Sequence, residues 1–402
     1  MTAPPALLDW LELSEVHRLA IVAGGLGRSA LPMIRRDGWQ PARPGDGASA
    51  ALSRLLAAQS GSYQIGGFRV QSWAARAVDG ERGMNVDQTN ESVIVGDCAV
   101  VKWAVHLQEG PHPAPRRIAV LRDAGFTGIP KPWGAITWRP PDGEETLAAY
   151  VDEYLPGAVD GWTWAVEMMT AAALTADPTE SVRTSHALGV LIADLHSALA
   201  STTSTATTAD TQRWHAAATA TLETACAVGD SVSSAVLSAR RAEVSAELAA
   251  LPTLTGTAVL EGHGDLHVGQ VLRSGDRLFV TDFDGNPVLT AAERMLPIPA
   301  AVDVAGMVQS LAHVAIVASR YTEAPPAALQ AAETATRQAF LDAYVTRLRA
   351  AGHGRLFDPR PLRALRLIQV MREMIYAANH LSRWMYVPDA ALPALLDDEE
   401  RP

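Results

Sequence analysis

The pattern of apolar and polar positions divides the chain into a strand-rich first part and a helical second part. Two apolar strands are predicted at 92–96 and 99–103, joined by a Gly-Asp turn. A helix entered through prolines and ended by Gly125 follows, and then two further strands near 134–138 and 147–154. The order strand, strand, helix, strand, strand is that of a small nucleotide-binding lobe.

The sequence becomes helical after Gly157. Apolar residues recur at helical spacing there, as in 183–199, where one face is predicted to carry Leu188, Leu191, Ile192 and Leu195. The Ser/Thr-rich run 201–210 is predicted to be an exposed, mobile loop. Two short strands are predicted around a polar cluster at 259–284. The predicted helices are 160–175, 183–199, 212–249, 302–320, 325–351 and 361–383.

The first 80 residues are predicted to have mixed structure. Short apolar segments precede a turn-rich stretch at 41–50, a short helix is predicted at 51–58, and β-type residues follow at 63–77. We therefore predict three domains. They are an N-terminal cap module (1–80), a nucleotide-binding N-lobe (81–156) and a helical C-lobe that carries the catalytic loop and the acceptor site (157–402).

Composition narrows the class of protein. The chain has 402 residues, 48% of them hydrophobic and 19% charged, which is typical of a globular protein of two or three domains. A net charge of −11 argues against nucleic acid as the partner. That charge suits a cationic substrate, although acidity often serves only solubility.

Several features favour a cytoplasmic protein. The two cysteines, Cys98 and Cys226, are far apart in sequence, which excludes a disulfide framework. The first 15 residues lack the basic start and apolar stretch of a signal peptide. No apolar run reaches the ~18 residues that a membrane span needs. We expect a monomer or dimer that acts on a small molecule, without a membrane or nucleic-acid partner.

One polar segment contains the densest chemistry of the chain. Residues 260–287 read LEGHGDLHVGQVLRSGDRLFVTDFDGNP, with Asp265 in a His-Gly-Asp-Leu-His loop. Gln270 follows five residues later, and Asp282 comes twelve residues after that, past the apolar strand 278–280. A lone His-Gly-Asp is usually a turn, and Asp-Gly-Asn-Pro favours a turn by itself. The full string nevertheless fixes many residue identities at set spacings, so we predict a catalytic segment.

Oxygen ligands at this spacing suit phosphoryl transfer. Mg²⁺ takes carboxylate and amide oxygens and keeps waters and substrate phosphates in its shell. Gln270 and Asp282 are the predicted Mg²⁺ ligands. Asp265 is the predicted catalytic residue, because it remains available to accept a hydrogen bond from the attacking hydroxyl and to take its proton late. The predicted reaction is direct in-line transfer without a covalent enzyme intermediate.

The segment HGDLHVGQVL…VTDFDGNP resembles the catalytic signature of the aminoglycoside-phosphotransferase and choline-kinase-like superfamily. It is most similar to the maltokinase branch, since Gln270 replaces the usual asparagine and DFDGNP has that branch's extended tail. The resemblance runs from about Asn85 to Pro388. It implies a bilobed α+β fold like that of protein kinases, here with an extra N-terminal module. It also implies that Asp265 is catalytic and that Gln270 and Asp282 hold Mg²⁺.

Lys102 is the candidate for the nucleotide phosphates. A lysine in an apolar strand can reach phosphates or extend into solvent, and the resemblance favours phosphates, with ATP as the donor. The helix after Lys102 contains no glutamate to pair with it, which leaves Glu109 as an open candidate. By resemblance, the loop over the phosphates and the adenine-binding hinge include Asn90, Glu91, Ser92, Glu153 and Leu155.

Two later segments, 301–313 and 369–388, resemble the acceptor-binding part of the maltokinase branch with changes. Gln309 and Gln369 replace an arginine and a lysine, which makes the pocket less cationic and favours an acceptor with an ammonium group. Actinobacterial glucosamine kinases resemble the chain in DFDGNP and in the Gln-Ser-Leu-x-His segment. Glucosamine, phosphorylated on its 6-hydroxyl, is therefore the expected acceptor. The predicted acceptor residues are Asp303, Gln309, His313, Glu373, Tyr376, Asn379 and Trp384.

Alternatives remain for individual residues and for the function of the whole chain. Asp303 could instead cap the helix that begins near Val304, and His313 and Trp384 could be core residues. The chain could also be a maltokinase, an aminoglycoside kinase, or a nucleotide-binding protein without catalysis.

Overall fold

The computed structural model describes residues 6–25, 27–73, 75–84, 91–141, 143–229 and 231–398. The chain forms two compact units, Met1–Ala158 with Phe279–Leu296 and Val159–Leu278 with Pro297–Pro402. The predicted phosphate-loop residue Asn90 lies outside the described residues. The change to helical structure predicted at Gly157 falls next to the division after Ala158.

The strands of the first unit form two antiparallel sheets. The elements of this unit are β1 (Ala6–Glu12), β2 (His17–Gly24), β3 (Gly27–Arg35), β4 (Trp39–Pro41), α1 (Ala48–Ala58), β5 (Gly61–Ile65), β6 (Phe68–Ser72), β7 (Glu81–Gly83), β8 (Glu91–Val95), β9 (Ala99–Trp103), α2 (Ala114–Asp123), β10 (Pro132–Trp138) and β11 (Thr146–Glu153). One sheet has four strands in the order β1-β2-β3-β4, and the other has seven in the order β5-β6-β10-β11-β9-β8-β7. Alternation explains strands such as β6, where Phe68, Val70 and Ser72 point into the core.

The predicted order of strands around α2 is confirmed by β8, β9, α2, β10 and β11. A boundary at residue 80, however, does not coincide with the edge of a sheet. Strands β5 and β6 belong to the same sheet as β10, and Ser72 pairs with Gly134. Gly134 permits this close approach, since a Cβ there would meet the carbonyl oxygen of Gln71 and the side chain of Leu56.

The second unit is mainly helical. Helix α4 (Thr179–Ala198) and helix α10 (Pro326–Ala350) pack closely because Gly189 allows it; a Cβ at that position would overlap the carbonyl oxygen of Phe340. The remaining elements of the chain are α3 (Gly161–Thr175), α4 (Thr179–Ala198), β12 (Ser204–Thr205), α5 (Thr208–Cys226), α6 (Val232–Ala239), α7 (Arg241–Leu248), β13 (Ala258–Val259), β14 (Val271–Ser274), β15 (Arg277–Val280), α8 (Ala291–Arg294), α9 (Ala300–Tyr321), α10 (Pro326–Ala350), α11 (Leu362–His380) and α12 (Tyr386–Asp397). Of these, α8 lies in the first unit.

Two predictions about the middle of the chain are wrong. The run 201–210 is no mobile loop, because β12 pairs with β13 and Thr207 caps α5 in a capping box with Asp210. The single helix predicted at 212–249 is three helices, since Ser231 starts α6 as a new N-cap and α7 follows at Arg241.

The C-terminal helices agree better with the sequence. Helices α9, α10 and α11 confirm the three long helices predicted there. Helix α12 has no counterpart among the predicted helices, and it contains two prolines, Pro388 and Pro393. Pro388 lies in the first turn, where its missing N–H is not needed.

Helix α9 corrects the expectation about apolar length. Its 22 residues have a mean hydropathy of 1.6 over the most apolar window, which is long and apolar enough to cross a membrane. That window is 67% buried, and the helix carries the buried polar residues Asp303, Gln309 and His313. We therefore assign α9 as a core helix of the second unit.

Candidate active site

In the first unit, Lys102 of β9 pairs with an aspartate of the neighbouring strand. Lys102 lies opposite Tyr150, and Asp152 is two residues further along β11 on the same face. The distance from Lys102 Nζ to Asp152 Oδ2 is 3.4 Å, and the Asp152 side chain is 6% exposed. Asp152 is thus the partner that the sequence left open, in place of Glu109.

The charge of Lys102 is secured by several carboxylates. Burial alone would lower the pKa of Lys102, but attraction to Asp152, Asp282 and Asp284 outweighs it and raises that pKa. Lys102 is therefore a cation among three acidic side chains, which is the state that phosphate binding requires.

Asp282 sits at a strained point of the chain. Its φ of 65° lies in the left-handed region, which costs a residue other than glycine about 1–3 kcal/mol. Buried Arg117 of α2 holds the following backbone: its Nη1 donates to the Phe283 carbonyl at 3.0 Å, and its Nη2 donates to the Arg294 carbonyl at 2.8 Å. Helix α2 thus presents an arginine to this loop, where protein kinases present a glutamate to the lysine.

Asp284 is a site residue that the sequence analysis read as part of a turn. Burial, followed by repulsion from Asp282, raises its pKa to about 7. His112 Nε2 lies 3.8 Å from Asp284 Oδ2. Burial and the charge of Arg294 lower the pKa of His112 to about 4, so the imidazole is neutral at pH 7 and adds no positive charge. The Asp-x-Asp spacing after a strand was the available signal.

The donor set of this acidic pair fits Mg²⁺. Asp282 and Asp284 offer hard oxygen ligands, and a divalent cation would relieve the repulsion that raises the pKa of Asp284. Within the described part of the chain, no group of three or more His, Cys, Asp or Glu side chains is placed to hold a metal. An ion that takes few protein ligands and completes its shell with water and phosphate suits these residues.

In the second unit, Asp303 of α9 holds the loop that carries Asp265. Its carboxylate accepts the backbone N–H groups of His263 and Gly264, both at 2.8 Å, and lies 3.2 Å from His196 Nε2. Burial alone would raise the pKa of Asp303, but the hydrogen bond from His196 and the neighbouring donors lower it below its usual range. Asp303 therefore stays ionised and anchors the loop.

This placement corrects the role predicted for Asp303. The residue is fully buried and makes no capping bond to α9, which begins after Pro299. Neither sugar contact nor helix capping describes it. The same helix fixes the loop again at Ser310, whose Oγ accepts the Val268 N–H at 2.9 Å.

Glu373 of α11 lies close enough to Asp265 in this unit for the two charges to interact. Its Oε1 accepts from Gln369 Nε2 at 3.0 Å, and its Oε2 lies 3.1 Å from His313 Nδ1. Burial raises the pKa of Glu373 to about 7; contacts from Gln369 and Trp384 oppose the shift, and the charge of Asp265 adds to it. The side chain keeps 22% exposure, so a ligand can reach it.

A group of aromatic rings reaches Glu373 through Trp384, which hydrogen-bonds to the Glu373 carboxylate. The ring centroid of Trp162 is 5.7 Å from that of Trp384 and 6.3 Å from that of His267. Asp160 caps α3 just before Trp162, and Gly161 allows the helix to touch the catalytic segment, since a Cβ there would overlap the Val268 carbonyl oxygen. Trp384 was predicted as an acceptor residue, whereas Trp162 and His267 were not among the predicted site residues.

The other predicted acceptor residues fall into two groups. Gln309 and His313 are buried, with Gln309 Nε2 3.0 Å from His313 Nε2, so they do not present a surface to a sugar as predicted. Tyr376 is 50% exposed with its ring 5.2 Å from that of His380, and Asn379 is exposed. Sugar contact by Tyr376 and Asn379 stays a prediction.

Gln270 and Arg372 complete the second unit's part. Gln270 ends a short 3₁₀ turn that follows His267, and its side chain is partly exposed. Its role as a Mg²⁺ ligand stays a prediction. Burial lowers the pKa of Arg372, and the charge of Asp265 opposes that shift, which indicates that the two residues are neighbours. Arg372 was not among the predicted site residues.

The nucleotide-side predictions map onto β8 and β11. Glu91 and Ser92 begin β8, and Ser92 pairs with Lys102. The Glu153 N–H donates to the Lys131 carbonyl at 2.9 Å, which leaves the adenine contact to the Glu153 carbonyl and the Leu155 backbone. That contact stays a prediction.

Together, these features define the class of the protein as a small-molecule kinase. A glucosamine kinase of Mycolicibacterium smegmatis (strain ATCC 700084 / mc(2)155) is 56% identical over 394 residues, which cover 97% of this chain and 98% of the relative. A glucosamine kinase of Streptacidiphilus jiangxiensis is 42% identical over 407 residues, covering 98% and 92%. The chain therefore belongs to the glucosamine kinase family. No family model matches it.

A solved structure agrees with this assignment. Glucosamine kinase in complex with glucosamine, ADP and inorganic phosphate matches with a TM-score of 0.87 and 40% identity, covering 98% of this chain and 94% of that chain. The predicted α+β kinase-like fold class is confirmed by this match. Of the two groups that the sequence resembles, the comparisons support the glucosamine kinases.

Proposed function

We propose that the protein transfers the γ-phosphoryl group of ATP to glucosamine, at its 6-hydroxyl, with Mg²⁺. Family membership supports the reaction, and ADP and phosphate bound with glucosamine in the related structure support ATP as the donor. The observation that carries the proposal is the pairing, in one unit, of Asp265 on an anchored loop with the partly buried carboxylate of Glu373.

Asp265 orients the acceptor. Its carboxylate accepts a hydrogen bond from the sugar hydroxyl, and takes the proton late as the phosphorus–oxygen bond forms. Asp303 contributes by fixing the backbone next to Asp265 through the Gly264 N–H. Accurate placement matters because a misplacement of about 1 Å can cost a factor of about 100 in rate.

Lys102 binds the phosphates of the donor. Asp152 keeps the ammonium charged and directed along the face of the sheet. When bound, Mg²⁺ supplies charge neutralisation at the phosphate oxygens. Asp282 and Asp284 are the residues that would hold it, and Gln270 is a further predicted ligand.

Glu373 reads the amine of the acceptor. An ammonium group beside this carboxylate makes a charge-assisted hydrogen bond of about 1.5–3 kcal/mol, which a neutral hydroxyl at the same carbon does not match. Trp384 and Trp162 offer apolar ring faces for the pyranose.

The test is a coupled ADP-release assay on Asp265→Asn, with Asp276→Asn as the matched control. Asp276 is an exposed carboxylate in the turn between β14 and β15. The Asp265 variant keeps the side-chain shape and loses about 10²–10⁴-fold in kcat, because the acceptor hydroxyl has no base, whereas the control keeps wild-type activity. Full activity of a folded Asp265→Asn protein would refute the proposed mechanism.

The same assay separates the alternatives. Preference for maltose or kanamycin would indicate a maltokinase or an aminoglycoside kinase, and ATP binding without turnover of any acceptor would indicate a non-catalytic protein.

A cytoplasmic location and a monomeric or dimeric state remain predictions from the sequence.

A further inference from the structure

A row of buried polar side chains leads from Arg366 to the amine-binding carboxylate. Arg366 Nε donates to Gln309 Oε1 at 3.1 Å, and Gln309 Nε2 lies 3.0 Å from His313 Nε2. His313 Nδ1 then lies 3.1 Å from Glu373 Oε2. Gln309 is 1% exposed and His313 is fully buried, so water cannot replace these partners. All four residues belong to α9 and α11 of the second unit.

The chemistry of the donors fixes the direction of this row. A guanidinium only donates, so the Gln309 atom facing Arg366 must be the carbonyl oxygen. The Gln309 amide nitrogen therefore donates to His313 Nε2, which must accept. Burial, with the charges of Arg366 and His267, lowers the pKa of His313 to about 3, so the ring is neutral and carries its single proton on Nδ1.

The last step of the row is incomplete. His313 Nδ1 and Glu373 Oε2 are buried atoms that make no hydrogen bond, although they are 3.1 Å apart, because the angle between them is unfavourable. Leaving two buried polar atoms without this bond destabilises the arrangement. A small rotation of the Glu373 carboxylate would complete it, so a ligand that orders Glu373 gains this bond as well.

We propose that Arg366 and Gln309 are positioning residues that hold His313 as its Nδ1–H tautomer, so that His313 aims an N–H at Glu373 and sets the preference for an aminosugar over a neutral sugar. This inference rests on the proposed function of Glu373 as the amine-binding residue. The opposite tautomer would point a lone pair at the carboxylate and repel its ionised form.

The need for such a donor follows from the surroundings of Glu373. Burial and the charge of Asp265 favour the neutral carboxyl, while Gln369 and Trp384 favour the carboxylate. A neutral carboxyl binds an ammonium weakly. An N–H donated by His313 acts in the same direction as the contacts from Gln369 and Trp384 and keeps Glu373 ionised at neutral pH.

The decisive variant is Gln309→Glu, which keeps the shape of the side chain and replaces the amide donor by an acceptor. The introduced carboxylate would accept from both Arg366 and His313 Nε2, which places a proton on Nε2. The spectra described below show whether Nδ1 has then lost its proton, or whether the ring has become a cation between two carboxylates; the expectation for KM applies to a ring that has lost it. We expect KM for glucosamine to rise at least about tenfold, which corresponds to about 1.4 kcal/mol, while kcat/KM for glucose stays within about twofold because no ammonium is read.

A second pair of variants covers a Gln309→Glu protein that does not fold or whose His313 carries both protons. In His313→Asn the amide nitrogen can occupy the place of Nδ1 and donate to Glu373, so we expect the glucosamine preference to be kept. His313→Leu removes the donor and loses the preference. Equal preference in the Asn and Leu variants would overturn the proposal.

The tautomer itself is measured by long-range ¹H–¹⁵N spectra of the full chain, with the His313 signal identified by its loss in His313→Asn. We expect a protonated Nδ1 in the wild type. A protonated Nε2 in the wild type, or an unchanged glucosamine-to-glucose ratio in a Gln309→Glu protein whose tautomer has switched, would overturn the proposal. Failure of the wild type to prefer glucosamine would instead refute the proposed function. The spectra would still show whether Arg366 and Gln309 hold His313 as its Nδ1–H tautomer.

Discussion

Replacement of Asp303 by asparagine is the most informative test of how the catalytic loop is held. The wild-type carboxylate accepts two backbone N–H groups at 2.8 Å, from His263 and Gly264, and lies 3.2 Å from His196. In Asp303→Asn one acceptor oxygen becomes an NH₂ group, which faces a buried donor. The side chain keeps its size, so the change removes charge and hydrogen-bonding capacity without opening a cavity.

The magnitude follows from those contacts. One charge-assisted hydrogen bond is worth about 1.5–3 kcal/mol, and a buried N–H left without an acceptor costs about 1–3 kcal/mol more. We therefore expect the free energy of unfolding of the second unit to fall by about 3–5 kcal/mol, in the range for breaking a buried charged network. Displacement of the loop should also lower kcat about 100-fold.

The assay combines urea unfolding followed by circular dichroism with the coupled ADP-release assay. Asp194→Asn is the matched control, because Asp194 is a partly exposed residue whose ion pair with Arg347 should contribute less than about 1 kcal/mol. If Asp303→Asn matches this control in both stability and kcat, the anchoring role of Asp303 is refuted.

The same variant has a signature in pH. The pKa of Asp303 is lowered in the folded protein, so its contribution is present at neutral pH and is lost as pH falls through the folded-state value. The difference in unfolding free energy between wild type and Asp303→Asn should therefore narrow below about pH 4. A constant difference from pH 7 to pH 3 would contradict this.

Three further predictions concern other parts of the two units. Lys102→Met should lower kcat/KM for ATP by about 10²–10³-fold through lost charge stabilisation, and an unchanged value in steady-state kinetics would contradict its role. The pKa of Asp284 is about 7, so protons compete with Mg²⁺ for this carboxylate near neutral pH. The Mg²⁺ concentration that gives half the maximal rate of ADP release should therefore be higher at pH 6 than at pH 8. This pH dependence should weaken in Asp284→Asn. Gly161→Ala places a Cβ against the Val268 carbonyl and should destabilise the second unit in urea by about 1–3 kcal/mol, whereas Gly229→Ala, with open space around it, should not.

The sequence predicted the catalytic segment well because its residues are close in the chain. Asp265, Gln270 and Asp282 lie within eighteen positions, so spacing and residue type suffice. The partner of Lys102 could not be found in this way. Asp152 is fifty positions away, and only the register of β9 against β11 brings the two side chains together.

Helical positions were harder to interpret. A carboxylate in the first turn of a helix, such as Asp303, can cap the helix, bind a ligand or hold a neighbouring loop, and only tertiary packing decides among them. The spacing of Gln309 and His313 places both on one face of α9, but it does not show that this face is buried. In contrast, the capping box of Thr207 and Asp210 was present in the sequence and was hidden by the Ser/Thr-rich composition around it.

In the proposed function, a carboxylate of the second unit, Glu373, selects an aminosugar. The most direct measurement is the ratio of kcat/KM for glucosamine to kcat/KM for glucose, in the wild type and in Glu373→Gln. Loss of a charge-assisted bond of about 1.5–3 kcal/mol predicts that this ratio falls about 10- to 100-fold in the variant, with glucose turnover nearly unchanged. A wild type that does not distinguish the two sugars, or a variant that keeps the full ratio, would contradict the account.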